Sequence, residues 1–217
     1  MDAVRLGQLL AERHRDGSSG GDDRDGGGAG GEPVDQVRSL LNYAESPHDG
    51  DWTLRSSLTR LAQPHPARVG RVLDLTRRLD GPLHHVRKTL EQHPVTADRG
   101  LTPDTVAGQP ISPVRDIRTA DLARLAAAGL DLDGLLAGYE AEGPLTNEER
   151  RAVPLLVIAV RIEALAETLS AWAQVGPADP PLNAVDRFVA TVQDTMDQLG
   201  VPEEIWPPQG MRRSGRG

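Results

Sequence analysis

One apolar stretch decides the fold: Ala152-Val153-Pro154-Leu155-Leu156-Val157-Ile158-Ala159-Val160. Read as a helix, this stretch is apolar on every side, and such a helix must be surrounded by other parts of the protein. Thr146 precedes it, and Glu149 follows three residues later, which is the spacing of a capping box. The pattern predicts a long, buried helix that begins at Thr146 and lies at the centre of the fold.

Apolar residues at helical spacing continue beyond this stretch and recur near the end of the chain. They predict a core that the central helix shares with a last helix. The residues predicted to form this core are Val153, Leu156, Val157, Val160, Leu165, Leu169, Trp172, Phe188 and Val192.

Helical periodicity runs through most of the remaining chain. Further helices are predicted over residues 3–15, 34–44, 54–61, 69–79, 83–90, 122–128, 132–139 and 185–199. No run of convincing length alternates as a strand does, and the glycine- and proline-rich residues 95–113 are interpreted as a loop. The sequence therefore predicts an all-α protein, an irregular helical bundle around a buried central helix.

Glycine, serine and aspartate dominate residues 16–32, a composition that buries too little apolar surface to order itself. The predicted organisation is a short amphipathic helix over 1–15, a flexible, disordered linker over 16–32, one helical domain over 33–207 and a disordered tail over 208–217. The first helix is interpreted as tethered to the body, on which it need not be packed, and the sequence leaves open whether it docks there. Two interpretations of this segment remain open: it is a docking element for a partner, or it is disordered.

Composition limits the classes of function. A net charge of -8 argues against a general nucleic-acid binder, which needs a concentrated basic face. The nine-residue apolar stretch is well short of the roughly 20 residues that a membrane span requires. The chain has no cysteine, and its first residues lack the pattern of a signal peptide. These features predict a cytoplasmic protein that binds neither membrane nor nucleic acid.

Few residues suggest catalysis or metal binding. His84 and His85 are adjacent, so on a helix they point about 100° apart and do not share a metal unaided. Lys88 is the sole lysine, and no glycine-rich phosphate loop contains it. Arg118 and Asp121 have a spacing that nucleotide sites can use, but chance accounts for it in a chain so rich in both residues. No metal ligands and no cofactor are predicted.

Three segments together resemble the C-terminal helical lobe of the aminoglycoside phosphotransferase-like superfamily, which includes homoserine and choline kinases. They are Asp121-Leu122-Ala123-Arg124-Leu125, Leu135-Leu136-Ala137-Gly138-Tyr139 and the stretch from Pro144 through Thr146 and Glu149 to Leu156. The resemblance covers some 50 residues, and the matching features concern helix packing.

The resemblance implies a catalytic loop of the form His-x-Asp followed five residues later by Asn. The one His-x-Asp is His14-Arg15-Asp16, at the start of the predicted linker. If the loop is placed by spacing instead, Asp98 takes the catalytic position and Asp116 that of a second metal ligand. Thr96 then replaces the histidine and Pro103 the asparagine. The catalytic motifs of the superfamily are therefore not retained.

Two classes of function remain open. The first is a non-catalytic helical regulatory or adaptor protein that acts through contacts with other proteins. The alternative is a degenerate phosphotransferase-like enzyme that uses ATP and a small hydroxyl-bearing substrate, with Asp98 and Asp116 as its catalytic candidates. Phosphoryl transfer depends almost wholly on positioned charges and metal ions, and the missing motifs favour the first class.

Overall fold

Helices make up nearly all of the described chain. The computed structural model describes residues 2–19, 54–90, 94–98, 101–108, 113–175 and 179–198. The helices are α1 (Ala3–Ser19), α2 (Leu54–Ala62), α3 (Pro66–Leu90), α4 (Arg118–Ala127), α5 (Leu132–Glu142), α6 (Asn147–Val175) and α7 (Leu182–Gln198); the strands are β1 (Pro94–Asp98) and β2 (Pro113–Ile117). The predicted all-helical class is confirmed for the body of the protein, to which the two strands add one short ribbon.

Helix α6 is the predicted central helix, and its first turn is the predicted capping box. The backbone N–H of Thr146 donates to the Glu149 carboxylate at 2.8 Å, and the backbone N–H of Glu149 donates to the Thr146 hydroxyl at 3.2 Å. Pro154 lies inside the helix, where it lacks the N–H that a helical residue normally donates. The helix continues through it because the flanking Val153 and Leu156 are fully buried.

Two apolar clusters divide the length of α6 between them. Residues 152–157 of α6 pack in the first cluster, with buried side chains of α1, α4 and α5. Residues 158–169 pack in the second, with those of α2, α3 and α7. Leu155 and Val160 are partly buried and contact both clusters. A single helix therefore forms one wall of each cluster.

The nine residues predicted for the core lie on α6 and α7. Seven of them are buried: Val153, Leu156, Val157, Leu165, Leu169, Phe188 and Val192. Val160 and Trp172 are partly buried and pack against the second cluster. Trp172 also stacks under the guanidinium of Arg60, whose carbon lies 4.8 Å from the ring centre.

Helix α1 is packed on the body of the protein, an alternative that the sequence leaves open. Leu6, Leu10 and Ala11 are buried in the first cluster, chiefly against α5. The backbone also remains helical to Ser19, four residues into the predicted linker. The apolar face of α1 is used within this chain, because burying leucine side chains stabilises the fold more than leaving them in water.

Two glycines set the distance between α1 and α5. A Cβ built on Gly138 would lie 1.9 Å from the backbone oxygen of Val4, and one built on Gly7 would lie 2.2 Å from the backbone oxygen of Leu135. No side chain fits at such distances. The two helices therefore meet backbone against backbone at this crossing.

Helix α3 corrects a predicted break. The sequence places the end of one helix at Gly81 and the start of another after Pro82, whereas the structure has one helix of 25 residues with Pro82 inside it. Leu79 and Val86, on either side of the proline, are both buried. Burial of these two side chains outweighs the one backbone hydrogen bond that proline removes.

The β-ribbon is a further difference from the expectation based on the sequence, in which residues 95–113 form a loop. Strands β1 and β2 pair antiparallel, with Pro94 opposite Ile117 and Asp98 opposite Pro113. Each strand begins with a proline, a position where the missing N–H is tolerated.

The predicted helix over 34–44, most of the predicted linker and the tail over 208–217 lie outside the described residues. Among the described helices, none is long and apolar enough to cross a membrane.

Candidate functional site

Four polar side chains meet inside the junction of α1, α4 and α5. His14 lies on α1, Asp121 and Arg124 lie on α4, and Tyr139 lies on α5. Their exposed fractions are 4%, 0%, 8% and 2%, respectively. We refer to these four residues as the buried polar cluster. Because buried polar groups destabilise a fold unless they are hydrogen-bonded, their partners decide what the cluster can do.

Helical spacing brings these side chains together. On α1, Leu6, Leu10 and His14 follow one another four residues apart, so that the histidine extends the buried apolar stripe of the helix. On α4, Asp121 and Arg124 are three residues apart and share a face. Tyr139 lies one residue after Gly138, at the point where α5 passes closest to α1. The backbone contact between the helices thus holds the ring of His14 close to Tyr139.

The hydrogen bonds of the cluster involve both nitrogens of the histidine ring. His14 Nε2 lies 3.2 Å from Asp121 Oδ2, and His14 Nδ1 lies 2.9 Å from the hydroxyl of Tyr139. The other carboxylate oxygen, Asp121 Oδ1, accepts a hydrogen bond of 2.7 Å from Arg124. Asp121 is therefore held between a histidine of α1 and an arginine of its own helix.

Tyr139 keeps its proton over the whole physiological range. Burial raises the pKa of its hydroxyl to about 12, and the neighbouring guanidinium of Arg118 only partly opposes this rise. A protonated hydroxyl can donate a hydrogen bond to His14 Nδ1, in keeping with their distance of 2.9 Å. The two rings also meet edge to face, with their centres 5.7 Å apart.

A second pair of charges borders the cluster. Arg118, the first residue of α4, donates two hydrogen bonds of 2.6 Å to the carboxylate of Glu149. It also donates to the backbone oxygen of Pro144 at 3.2 Å. Glu149 is the acid of the α6 capping box, so the same carboxylate caps α6 and joins it to α4. Towards the C-terminal end of α1, the guanidinium of Arg15 lies 2.9 Å from the carboxylate of Glu142 on α5.

A histidine between a carboxylate and a hydroxyl is an arrangement that enzymes use for general acid–base catalysis. In this protein both ring nitrogens face internal partners, and 4% of the histidine is exposed. The cluster therefore joins α1 to α4 and α5, and a substrate would reach His14 only if α1 left its position. Within the described residues, no group of three or more potential ligands could hold a metal ion.

The catalytic candidates suggested by spacing lie on the β-ribbon. Asp98 ends β1 opposite Pro113, and Asp116 is near the end of β2, opposite Val95. They occupy opposite ends of the ladder, three pairs apart, which corresponds to about 10 Å along the strands. Thr96, which replaces the histidine of the kinase loop, pairs with Arg115 between them. Outside the ribbon, Asp131 caps the start of α5, because its carboxylate accepts a hydrogen bond of 2.9 Å from the backbone N–H of Gly134.

The sequence alone does not reveal the buried polar cluster. In the sequence the His14 motif lies at the start of a predicted linker, and chance accounts for the spacing of Arg118 and Asp121, whereas in the structure all three side chains make specific contacts. One signal could have revealed His14: it continues the four-residue spacing of Leu6 and Leu10.

Comparisons with protein-family models, curated protein sequences and solved structures found no match to this chain.

Proposed function

We propose that this protein is a non-catalytic helical adaptor or regulatory protein that acts through contacts with other proteins. One observation carries the proposal. The residues of the described chain that most resemble a catalytic constellation, His14, Asp121 and Tyr139, direct their polar atoms at one another inside a helix junction. Their chemistry is used to fix the position of a helix, which is a structural use of reactive residue types.

The pairs around the cluster support the same proposal. Arg118 binds Glu149, and Arg15 binds Glu142, and each pair joins two different helices. Between two helices of the second cluster, Arg68 of α3 binds Asp186 of α7. Charged side chains thus connect helices at several junctions. A helical surface suits protein recognition, for which the net charge of -8 favours a partner with a basic contact face. We also propose that the protein acts in the cytoplasm and that it does not bind nucleic acid.

The first test asks whether the chain is an enzyme. The purified protein is incubated with ATP, Mg²⁺ and a panel of small hydroxyl-bearing acceptors, and phosphate release and transfer are measured. The matched control is the Asp98→Ala, Asp116→Ala double variant. We expect no turnover above that of the control. Turnover by the wild type that the double variant loses would overturn the adaptor proposal and support the phosphotransferase alternative.

The second test seeks the partner directly. Tagged full-length chain captures proteins from cell extract, and every candidate is then purified and titrated against the untagged chain. The adaptor proposal expects at least one candidate to bind saturably, with a fixed stoichiometry. The matched control is an Arg68→Glu, Asp186→Arg chain, which retains an ion pair at that junction and should retain the binding if the partner uses another face. Failure of every purified candidate to rebind would count against the proposal.

A further inference from the structure

Helix α1 is attached to the body on one side only. Its apolar stripe faces α5, with smaller contacts to β1 and α4, whereas the side chains of Arg5 and Glu12 on its other side are 52% and 43% exposed. α6, in contrast, contributes buried residues to both apolar clusters. α1 can therefore separate from its neighbours without opening the second cluster, in the manner of a local unfolding unit.

The surface beneath α1 is selective about the helix that it accepts. We call this surface the seat and define it by Asp121, Leu135, Gly138 and Tyr139. Opposite Leu135 the two backbones come so close that only a residue without a side chain fits at position 7 of the incoming helix. Seven residues later the seat presents Asp121 and the Tyr139 hydroxyl, which together engage both nitrogens of a histidine ring.

These features define a recognition pattern. It consists of leucine, glycine, leucine and histidine at the relative positions of Leu6, Gly7, Leu10 and His14. The leucines supply apolar burial, which many helices could provide. The glycine and the histidine make the surface selective among helices. A larger residue at the glycine position clashes with α5, and an apolar residue at the histidine position leaves Asp121 without the ring that it faces.

We propose that α1 is an exchangeable helix: the seat also accepts, in trans, an amphipathic helix with this leucine–glycine–leucine–histidine pattern, and α1 is the competitor that controls access to it. This inference deepens the proposed adaptor function and rests on it. The protein recognised is one that presents such a helix, and its binding requires that α1 leave the seat. Occupation by α1 lowers the apparent affinity for the partner helix by the fraction of molecules in which the seat is free.

The experiment uses a fluorescein-labelled synthetic peptide of residues 2–19 as the probe and the full-length chain as the receptor. Binding is measured by fluorescence anisotropy. Gly7→Leu in the full chain prevents α1 from seating, and we expect this variant to bind the wild-type peptide at least about tenfold more tightly than the wild-type chain does. Two control peptides carry Gly7→Leu or His14→Ala. The first should not bind either chain, and the second should bind the variant chain more weakly than the wild-type peptide.

The outcome that overturns the proposal is a Gly7→Leu chain that remains helical, unfolds cooperatively and yet does not bind the peptide. Equal binding of all three peptides would also overturn it, because the seat would then not read the pattern. If the variant chain does not fold, hydrogen exchange of the wild-type chain decides. The amides of α1 should exchange together and before those of α6, and exchange of α1 through global unfolding alone would contradict the proposal.

These results are separable from those that test the adaptor function. Peptide and chain are the sole components of the binding assay, so a negative result removes helix exchange and leaves the adaptor proposal to its own assays. Turnover of ATP would remove the adaptor proposal without affecting the peptide measurement.

Discussion

Arg118 and Glu149 form a two-point ion pair, in which Nε and an Nη of the guanidinium each donate a hydrogen bond of 2.6 Å to a different carboxylate oxygen. The same carboxylate accepts the backbone N–H of Thr146 at 2.8 Å. One glutamate therefore completes the first turn of α6 and fixes the start of α4 against it. The exposed fractions of the two side chains, 27% and 12%, place the pair between a surface and a core interaction.

Replacing Arg118 should destabilise the protein through this shared carboxylate. We expect Arg118→Ala to lower the free energy of unfolding by roughly 1–3 kcal/mol, because a half-buried carboxylate loses two charged donors. Chemical denaturation measures the effect. In a double-mutant cycle with Glu149→Ala, the two losses should add to more than the loss of the double variant. Simple additivity would show that the two residues do not stabilise one another.

The ion pair also predicts a pH dependence. Burial raises the pKa of Glu149, but hydrogen bonds from Arg118 and Thr146 outweigh burial, so that the pKa lies below its ordinary value of 4.5. A lowered pKa means that the ionised carboxylate stabilises the fold above pH 4.5, and that this contribution is lost as the pH falls through the folded-state pKa. The difference in Tm between wild type and Glu149→Gln should therefore be constant between about pH 7 and 5 and shrink below about pH 4.

The control for this pH series is Glu167→Gln, at an exposed position of the same helix. Its Tm should follow that of the wild type across the series. A Glu149→Gln difference that persists unchanged in acid would show that the carboxylate acts through its shape and hydrogen bonds, and not through its charge.

The glycine contact between α1 and α5 should not tolerate a methyl group. We expect Gly138→Ala to lower the free energy of unfolding by about 1–3 kcal/mol, because its Cβ would overlap the backbone of Val4 and force the helices apart. The matched control is Gly70→Ala in α3, where no atom lies within 4 Å of the added Cβ. That substitution should stabilise the protein by about 0.5–1 kcal/mol, as alanine does within a helix. Equal effects of the two substitutions would disprove the close approach.

Removing buried volume from α6 should reveal its central position. Leu156 is fully buried, and we expect Leu156→Ala to lower the free energy of unfolding by roughly 2–5 kcal/mol through lost burial and the cavity that remains. Val160→Ala should have a smaller effect, because Val160 is partly buried and loses fewer atoms. Ala164→Ser, at an exposed position, should change stability by less than about 0.5 kcal/mol. Denaturant titration of the three variants ranks them.

Deleting residues 1–31 should destabilise the body. The deletion removes two fully buried leucines, Leu6 and Leu10, which together contribute roughly 3–6 kcal/mol. We expect Tm to fall by on the order of 10 °C. The control is Leu6→Ala, Leu10→Ala in the full chain, which should reproduce most of that fall. An unchanged Tm would restore the interpretation of a tethered, unpacked helix.

Local patterns in the sequence predict the central part of this fold well. The capping box at Thr146 and Glu149 and the apolar stretch after it depend on neighbouring residues, so that their spacing alone identifies the start and the burial of α6. The stripe that includes Phe188 and Val192 predicts α7 for the same reason. Each of these features is complete within one helix.

Features that depend on distant residues could not be predicted in this way. His14 lies 107 positions from Asp121, so that no local pattern connects the two residues. The strands are five residues long and begin with proline, so that their pairing, and not their composition, creates the ribbon. At Pro82 the local signal is a helix end, and packing of Leu79 and Val86 reverses it. In each case tertiary contacts outweigh local propensity.

The attachment of α1 to α5 has a consequence for biosynthesis. Tyr139 lies 125 residues after His14, and at about 5–20 residues per second the ribosome adds those residues in roughly 6–25 s. During that interval Leu6 and Leu10 have been synthesised, but the surface that buries them has not. The nascent chain thus carries an uncovered apolar helix throughout that interval. A chaperone that binds amphipathic helices would find its substrate in α1 at that stage.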